Sequence, residues 1–326
     1  MLVAVEGEEI RAGLLLHHST LWLQGVERRF CWLGLPLSEG LVDPRHGMAI
    51  VHLMNAVLAR EPFLMDLGIG SLEETAAKFL IQLGWRHATV PFLFHPVRMG
   101  EVIRRMPYLR SRRSHLGAKL FAGIGGAAAL DAGLALLRRA RRSRNEVTRL
   151  PRFEEWADRV YASSRGGYGA AVVRDAAALN VCYPPDDTRY VRLRIRRDTG
   201  EELGWVVVIQ ARMENNKYFG DLHVGTLVDG FGPVDSVPRL VQAGLEWLVD
   251  AGVDLIVANF SHRAWRRACA GIGFLPGPSN FFFFVSPAGN PMLQTPCPLS
   301  AIHLTRGDGD GPFNLMPPPV RAAPVG

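Results

Sequence analysis

The chain has 326 residues, of which 48% are hydrophobic, and a formal net charge of +6. That length and composition exclude a disordered or fibrous chain and suit about two globular domains of ~100–200 residues each. The positive excess suits an anionic partner, but it is local: between Arg104 and Arg149 eleven arginines and one lysine meet only Asp131 and Glu146. In chain order, Met1–Val5 and Ile10–His18 are apolar runs around the turn Glu6–Glu9, and Leu21–Leu23 and Phe30–Leu37 follow, so an antiparallel meander is predicted. Asp43-Pro44 can start a helix, on which Ile50, Val51, Met54, Val57 and Leu58 form one apolar face before Glu61-Pro62 ends it. Phe63–Leu67 predicts a strand, Ser71 and Glu74 a capping box for a helix to Gln82, Gly84-Trp85 its stop, and Val90–Phe94 a further strand.

The second half repeats this order. Tyr190–Ile195, Leu203–Gln210 and Gly220–Val228 read as strands. A helix starts at Asp235 or Ser236, with Pro238 in its first turn, and ends at Gly252. Asp254–Asn259 is a strand, Ser261–Ala270 a helix, Gly273-Phe274 its stop, and Phe281–Val285 the last strong strand. Gly47 to Gly84 spans 84 − 47 = 37 positions and Val237 to Gly273 spans 273 − 237 = 36. Shared order at matched spacing points to an internal duplication. The joining segment includes Leu116–Leu137, which is long and apolar enough to span a membrane. Lys119 and Asp131 make spanning costly, so it reads as a linker helix packed on a domain or lying on an anionic surface.

A meander, a Gly-containing turn into a helix, then strand, helix, Gly-aromatic and strand resembles the GNAT superfamily. The resemblance implies an α/β fold of two tandem GNAT-like domains, each a mixed, mostly antiparallel sheet flanked by helices. The expected division is residues 1–103 (lacking the first elements of the fold), basic Gly/Ala-rich linker helices over 104–150, residues 151–312, and a flexible tail over 313–326. The family sheet is splayed in the middle, with acyl-CoA in the splay. Its turn Q/R-x-x-G-x-G/A sits at a helix N-terminus, where N–H groups and the helix dipole face a pyrophosphate. Pro44-Arg45-His46-Gly47-Met48-Ala49 matches the last two fixed positions, while Pro44 replaces the first. The resemblance therefore implies acetyl-CoA or another acyl-CoA as co-substrate, held by Arg45, His46, Gly47, Met48 and Ala49. The second turn, Gly232–Pro238, has no G-x-G; its prolines remove donors and Asp235 opposes a phosphate. Val173–Asp175 through Tyr190 and Gly204, Gly277–Phe281, Ser38–Pro44 and Leu83–Trp85 also resemble GNAT-like and Fem-type domains of bacterial envelope and exopolysaccharide loci.

In such enzymes a carboxylate removes the amine proton. Glu39, Asp221 and His223 are the candidate catalytic residues, with Asp43 and Asp229 nearby. Strand alternation puts Asp221, His223 and Gly225 on one face. The family's usual thiolate-protonating tyrosine is replaced by Leu80 and Cys269. His17-His18 point to opposite faces of a strand, one expected buried and one exposed. His262 and Trp265 lie one helical turn apart. Arg306–Gly311 reads as a turn, since it lacks the remaining acids of an EF-hand loop. Cys31, Cys182, Cys269 and Cys297 have no metal-ligand or redox spacing, so no metal is expected. Scattered reduced thiols and an N-terminus without a secretory pattern point to the cytoplasm, with the Arg104–Arg149 segment as a contact for the inner membrane face. The function expected is acyl-CoA-dependent N-acyl transfer to a small-molecule amine, such as an amino sugar or glycan precursor of the envelope. Fem-type aminoacyl transfer and a non-catalytic binding module are the alternatives. The basic segment lacks interleaved aromatics and a recognised motif, so no specific nucleic acid is expected.

Overall fold

The computed structural model describes residues 1–107, 133, 145–289, 298–311 and 315–316. Most of the basic linker and tail therefore lies outside the described residues, as do the expectations that rest on it. Among the described residues no helix is long and apolar enough to cross a membrane.

The meander consists of β1 Leu2–Glu6, β2 Glu9–Leu23 and β3 Val26–Ser38. The expected break after His18 is absent. Ser19 and Thr20 stay in the ladder because β3 pairs with them directly, opposite Phe30 and Arg29. Gln24 and Gly25, both at positive φ (48° and 95°), close the hairpin, as a two-residue turn between twisted strands requires. Asp43 caps a 3-10 turn, Pro44–His46, and α1 then runs Gly47–Arg60. β4 Leu64–Ile69, α2 Thr75–Gln82, β5 Arg86–Thr89, β6 Phe92–Pro96 and α3 Met99–Arg105 follow. The capping box does not form: Ser71 Oγ accepts from the Glu73 N–H at 3.2 Å and closes a turn ahead of α2.

The later chain supplies β7 Glu146–Leu150, α4 Glu155–Ser164, β8 Ala170–Val172, α5 Ala176–Cys182, β9 Val191–Arg196, β10 Glu202–Arg212 and β11 His223–Phe231. After these come α6 Val237–Asp250, β12 Leu255–Asn259, α7 Arg263–Gly271, β13 Leu275–Gly277, β14 Phe281–Val285 and β15 Ile302–His303. The cap of α7 is His262, whose Nδ1 accepts from the Ala264 N–H at 3.3 Å. α1 and α6, the two helices at matched positions of the repeat, are both 14 residues long.

Two mixed sheets result. The first has the order β15-β8-β2-β3-β4-β14-β5, with β1 on β2; the second has β13-β6-β12-β11-β10-β9-β7. Sheet membership does not follow the chain halves. The single strand expected over Val90–Phe94 is broken at Pro91, which has no N–H for a ladder. β5 stays in the first sheet against β14, and β6 crosses to pair with β12. The Pro91 carbonyl is held from the second sheet by Asn259 Nδ2 at 3.1 Å. β13 and β14 make the reciprocal move, β13 onto β6 and β14 onto β4. The first half thus lends β6 to the second sheet, and the second half lends β14, together with β8 and β15, to the first.

Each sheet carries the same device at its centre. The β2–β3 register shifts between Gly13 and Leu15, with the extra residue on β3. The β10–β11 register shifts between Val207 and Val208, with the extra residue on β11. Such bulges bend a strand away from its neighbour. In both sheets the bulged strand is the one that then runs parallel to the strand after the helix, β3 with β4 and β11 with β12. The largest core lies around β10, β11 and α6, and takes in Leu315 from the segment expected to be tail. The first sheet has a separate core on each face.

Candidate functional site

β3 and β4 pair at only Cys31–Leu64 and Trp32–Met65. Beyond that point they part, and a cavity of about 360 Å³ opens between them. Its walls are mainly apolar, with Leu33, Ile50, Met54, Leu80, Phe282 and Phe284 among them. Gly40, Leu41 and Gly47 also line it, so the N-terminal end of α1, the positive end of its dipole, borders the cavity. The turn before α1 folds tightly enough that a Cβ on Gly40 would sit 2.5 Å from Gly47 Cα. Gly47 itself is open: a Cβ there meets nothing within 4 Å.

Two carboxyl groups stand in this opening. Asp66 is on β4, and Asp310 comes from the far end of the chain; both line the cavity. The Asp310 N–H donates to the Leu67 carbonyl at 3.2 Å. Its carboxylate lies between the separating strands, 3.7 Å from where a Gly34 Cβ would be and 2.9 Å from a Gly68 Cβ. Gly309, at φ +64°, lets the chain pass against Leu67, where a side chain would strike the backbone oxygen. Burial, and then the charge of Asp310, push the Asp66 carboxyl up to about 7. Burial also raises Asp310. Asp66 therefore holds its proton near neutral pH, while Asp310, exposed at the tip of its loop, carries the charge that opposes Asp66 ionisation.

Asp310 also lines a second, larger cavity of about 890 Å³. Thr20, Glu27, Tyr161, Arg165, Asp175 and Tyr190 give it polar walls drawn from both halves. Arg165 is fixed there by an ion pair with Glu27 and by stacking over Trp22 at 4.2 Å. Asp310 is therefore shared by an apolar cavity in the splay and a cavity of mixed polarity between the halves. Sequence reasoning missed it: Arg306–Gly311 is the turn that the sequence predicts, but that prediction gives Asp310 no role. The available signal was the strict alternation of Gly307, Gly309 and Gly311 with Arg306, Asp308 and Asp310, which marks backbone passing close to other backbone.

The residues singled out from sequence are not gathered in one place. Gly47 lines the apolar cavity. Arg45 is turned outward onto Asp43, with Nε within 3.1 Å of both carboxylate oxygens. His46 Nδ1 lies 3.3 Å from Glu6. Met48 is exposed, and Ala49 packs on the core beneath α1. Glu39 accepts from Arg11 Nη1 at 2.7 Å and is absent from both cavity walls. Asp221 lies ahead of β11, not on it, and accepts from the Asn215 N–H at 2.9 Å. His223 starts β11, at the end where β11 and β12 are still paired; burial and then Arg212 lower its pKa. Strand alternation thus does not put Asp221 on a face with His223. His17 and His18 are both exposed, on the stretch of β2 whose outer edge is left unpaired between its β1 and β8 partners.

The second splay is closed. β11 and β12 pair from Val224–Leu255 to Leu227–Ala258 and then part. The segment after β15 enters the gap: Thr305 bridges to Phe260, and the Gly307 N–H donates to the bulge carbonyl of Val228 at 3.1 Å. A buried polar network fills the rest. Arg174 Nε meets both oxygens of Asp229 at 3.2 Å, and its Nη2 meets Asp308 at 2.7 Å. The Tyr183 hydroxyl donates to Asp229 at 2.9 Å. Gly307 is needed here, since a Cβ would collide with that hydroxyl. Burial holds Asp308 above the ordinary carboxylate range in spite of Arg174.

No family model matches the sequence, and no curated protein does. Solved structures do match. N-myristoyltransferase from Saccharomyces cerevisiae with bound myristoyl-CoA aligns with TM-score 0.53 and 9% identity, over 85% of this chain and 67% of that one. A GCN5-related N-acetyltransferase from Anabaena variabilis aligns with TM-score 0.52 and 10% identity, over 86% of this chain and 61% of that one. A probable N-acyltransferase from Enterococcus faecalis gives 0.51 and 11%, over 86% of this chain and 59% of that one. The chain spans about three fifths to two thirds of the length of these proteins. At such identities the likeness is one of fold: this chain is built on the GNAT fold, in two tandem copies.

Proposed function

We propose that the protein is an acyl-CoA-dependent N-acyltransferase. The acyl-CoA lies in the open splay, its pyrophosphate at the Arg45–Ala49 turn, and a primary amine enters through the larger cavity. The observation that carries this reading is the Asp310 carboxylate, placed in the splay and shared by both cavities. An ammonium arriving from the polar side gives its proton to the Asp66–Asp310 pair. The free amine then attacks the thioester carbonyl carbon; the C–N bond forms, the C–S bond breaks, CoA leaves as thiolate, and the second proton on the nitrogen passes to water. Leu80 stands where an acid would be expected, so the proton gained by the carboxyl pair is the one at hand for that thiolate. A carboxyl poised near 7 suits both directions of transfer. The myristoyl-CoA bound to the yeast protein of the same fold supports the choice of co-substrate. The size and polarity of the larger cavity favour an acceptor such as an amino sugar or glycan precursor.

Calorimetric titration with acetyl-CoA and longer acyl-CoAs, on the wild type and on Gly47→Glu, tests the reading. The open space at Gly47 lets the variant fold, while its carboxylate faces the pyrophosphate. Saturable binding that the variant loses supports the site. A folded wild type that binds no acyl-CoA overturns it and leaves a GNAT-fold binding module.

A further inference from the structure

At the rim of the larger cavity, whose wall includes His18, three side chains of different chemistry converge from three segments. His18 on β2 and Cys31 on β3 are directly opposed across the ladder, so their side chains share a face of the sheet. Glu61, the residue that ends α1, reaches the same point, with Oε1 3.2 Å from His18 Nε2. One ligand atom from each of the three lies within 4.8 Å of the other two. The placement is fixed by backbone: the Cys31 N–H donates to the Phe63 carbonyl at 3.1 Å, two residues past Glu61. Cys31 is fully buried, whereas the His18 side chain is 69% exposed and that of Glu61 40%. The cluster is thus anchored by a buried sulfur and open to solvent on the other side.

We propose that His18, Cys31 and Glu61 form a binding site for a divalent transition metal, with Zn²⁺ the best match. Imidazole, thiolate and carboxylate are the ligand types that Zn²⁺ takes, at about 2.0–2.2 Å for N or O and about 2.3 Å for S. At tetrahedral angles two such ligand atoms stand about 3.3–3.7 Å apart, so closing the site asks the exposed His18 and Glu61 to swing inward on Cys31. Three protein ligands leave one tetrahedral position for water or an outside ligand. A hard cation such as Mg²⁺ or Ca²⁺ is disfavoured, because it takes oxygen ligands. Bound metal would tie the C-terminal end of α1 to the β2–β3 hairpin, and so steady the helix whose other end borders the apolar cavity. The site does not depend on acyl transfer, and its test needs no acyl-CoA.

The full chain, stripped with chelator and kept reduced, is titrated with Co²⁺ and followed by absorption. The expected result is one equivalent bound, with a thiolate-to-cobalt charge-transfer band and visible bands of tetrahedral type, all bleached by Zn²⁺. Cys31→Ser removes the charge-transfer band. His18→Ala and Glu61→Gln, both at exposed positions, weaken binding at least about tenfold, the loss that even outer-shell changes cause. Absence of a charge-transfer band in the wild type overturns the proposal. So does a band that survives Cys31→Ser, which would assign it to another thiol such as Cys182, or wild-type affinity in both His18→Ala and Glu61→Gln.

Discussion

The two splays start from the same geometry and end differently. Both are opened by a bulge on the second strand of a hairpin, and both lie beside a 14-residue helix at matched positions of the repeat. In the first, the space between β3 and β4 stays open and receives only the tip of a loop, Asp310. In the second, the same length of chain passes through the gap, and Arg174, Asp229, Asp308 and Tyr183 saturate one another there. The main-chain bond from Gly307 to Val228 uses the bulge carbonyl that an open splay would leave for a ligand. One segment, Thr305–Gly311, therefore closes one copy of the fold and supplies a carboxylate to the other. Two copies of the fold allow this division, since a single copy cannot both be filled by its own chain and leave its splay open.

The comparison breaks most sharply at Asp310. Asp310→Asn keeps the shape and removes the base, so kcat for amine acylation falls roughly 10²–10⁴-fold while acyl-CoA affinity, read by calorimetry, stays within a few fold. An unchanged kcat would show the open splay to be no more catalytic than the closed one. Next in size is Arg174→Ala. It leaves Asp229 and Asp308 buried without their cation, and stability should fall by about 3–5 kcal/mol, measured by urea unfolding. A loss under ~1 kcal/mol, the range of surface pairs, would mean that water enters the second splay.

A third effect concerns pH. Asp66 has its carboxyl raised from 3.8 to about 7 in the folded chain. Between those values the native state binds more protons than the unfolded one, so the Asp66 contribution makes stability decline as pH rises through that window. Asp66→Asn should flatten the decline and raise stability at pH 8 by a few kcal/mol. The same group predicts an acidic limb of kcat/KM near pH 7, which the variant shifts. Thermal melts at pH 5 and pH 8 check the first statement and a pH–rate profile the second. The smallest effect is the contrast between two glycines. At Gly68 an added Cβ sits 2.9 Å from the Asp310 carboxylate, against 3.7 Å at Gly34. Gly68→Ala displaces the exposed end of Asp310 and should cost up to about 1 kcal/mol, and Gly34→Ala less than that. Equal costs would mean that Asp310 does not sit nearer β4.

Local sequence determined the order of elements and the rhythm of the repeat. The helix periodicity of Ile50–Leu58, the glycine stops at Gly84 and Gly273, and the proline-bearing start of α6 are properties of neighbouring residues, and they are legible without a fold. So was the resemblance to the GNAT architecture, carried by the order of meander, Gly-containing turn, helix, strand, helix, Gly-aromatic and strand, while the 37- and 36-position spans pointed to its repetition. The strand break at Pro91 was half visible, because proline marks an interruption but does not say that the two pieces enter different sheets.

What tertiary structure decided is which residues meet. Asp66 and Asp310 are 310 − 66 = 244 positions apart, and nothing within either segment carries information about the other. Glu39 looked available in sequence and is engaged by Arg11, 28 positions away; Asp221 looked like part of a strand and is spent on a turn. Whether a carboxylate is a base, an ion-pair partner or a turn cap depends on its desolvation and its neighbours. Those are set when sheets pack and loops thread between strands. The sequence by itself made this chain a pair of splayed folds, and long-range packing chose which splay would remain open.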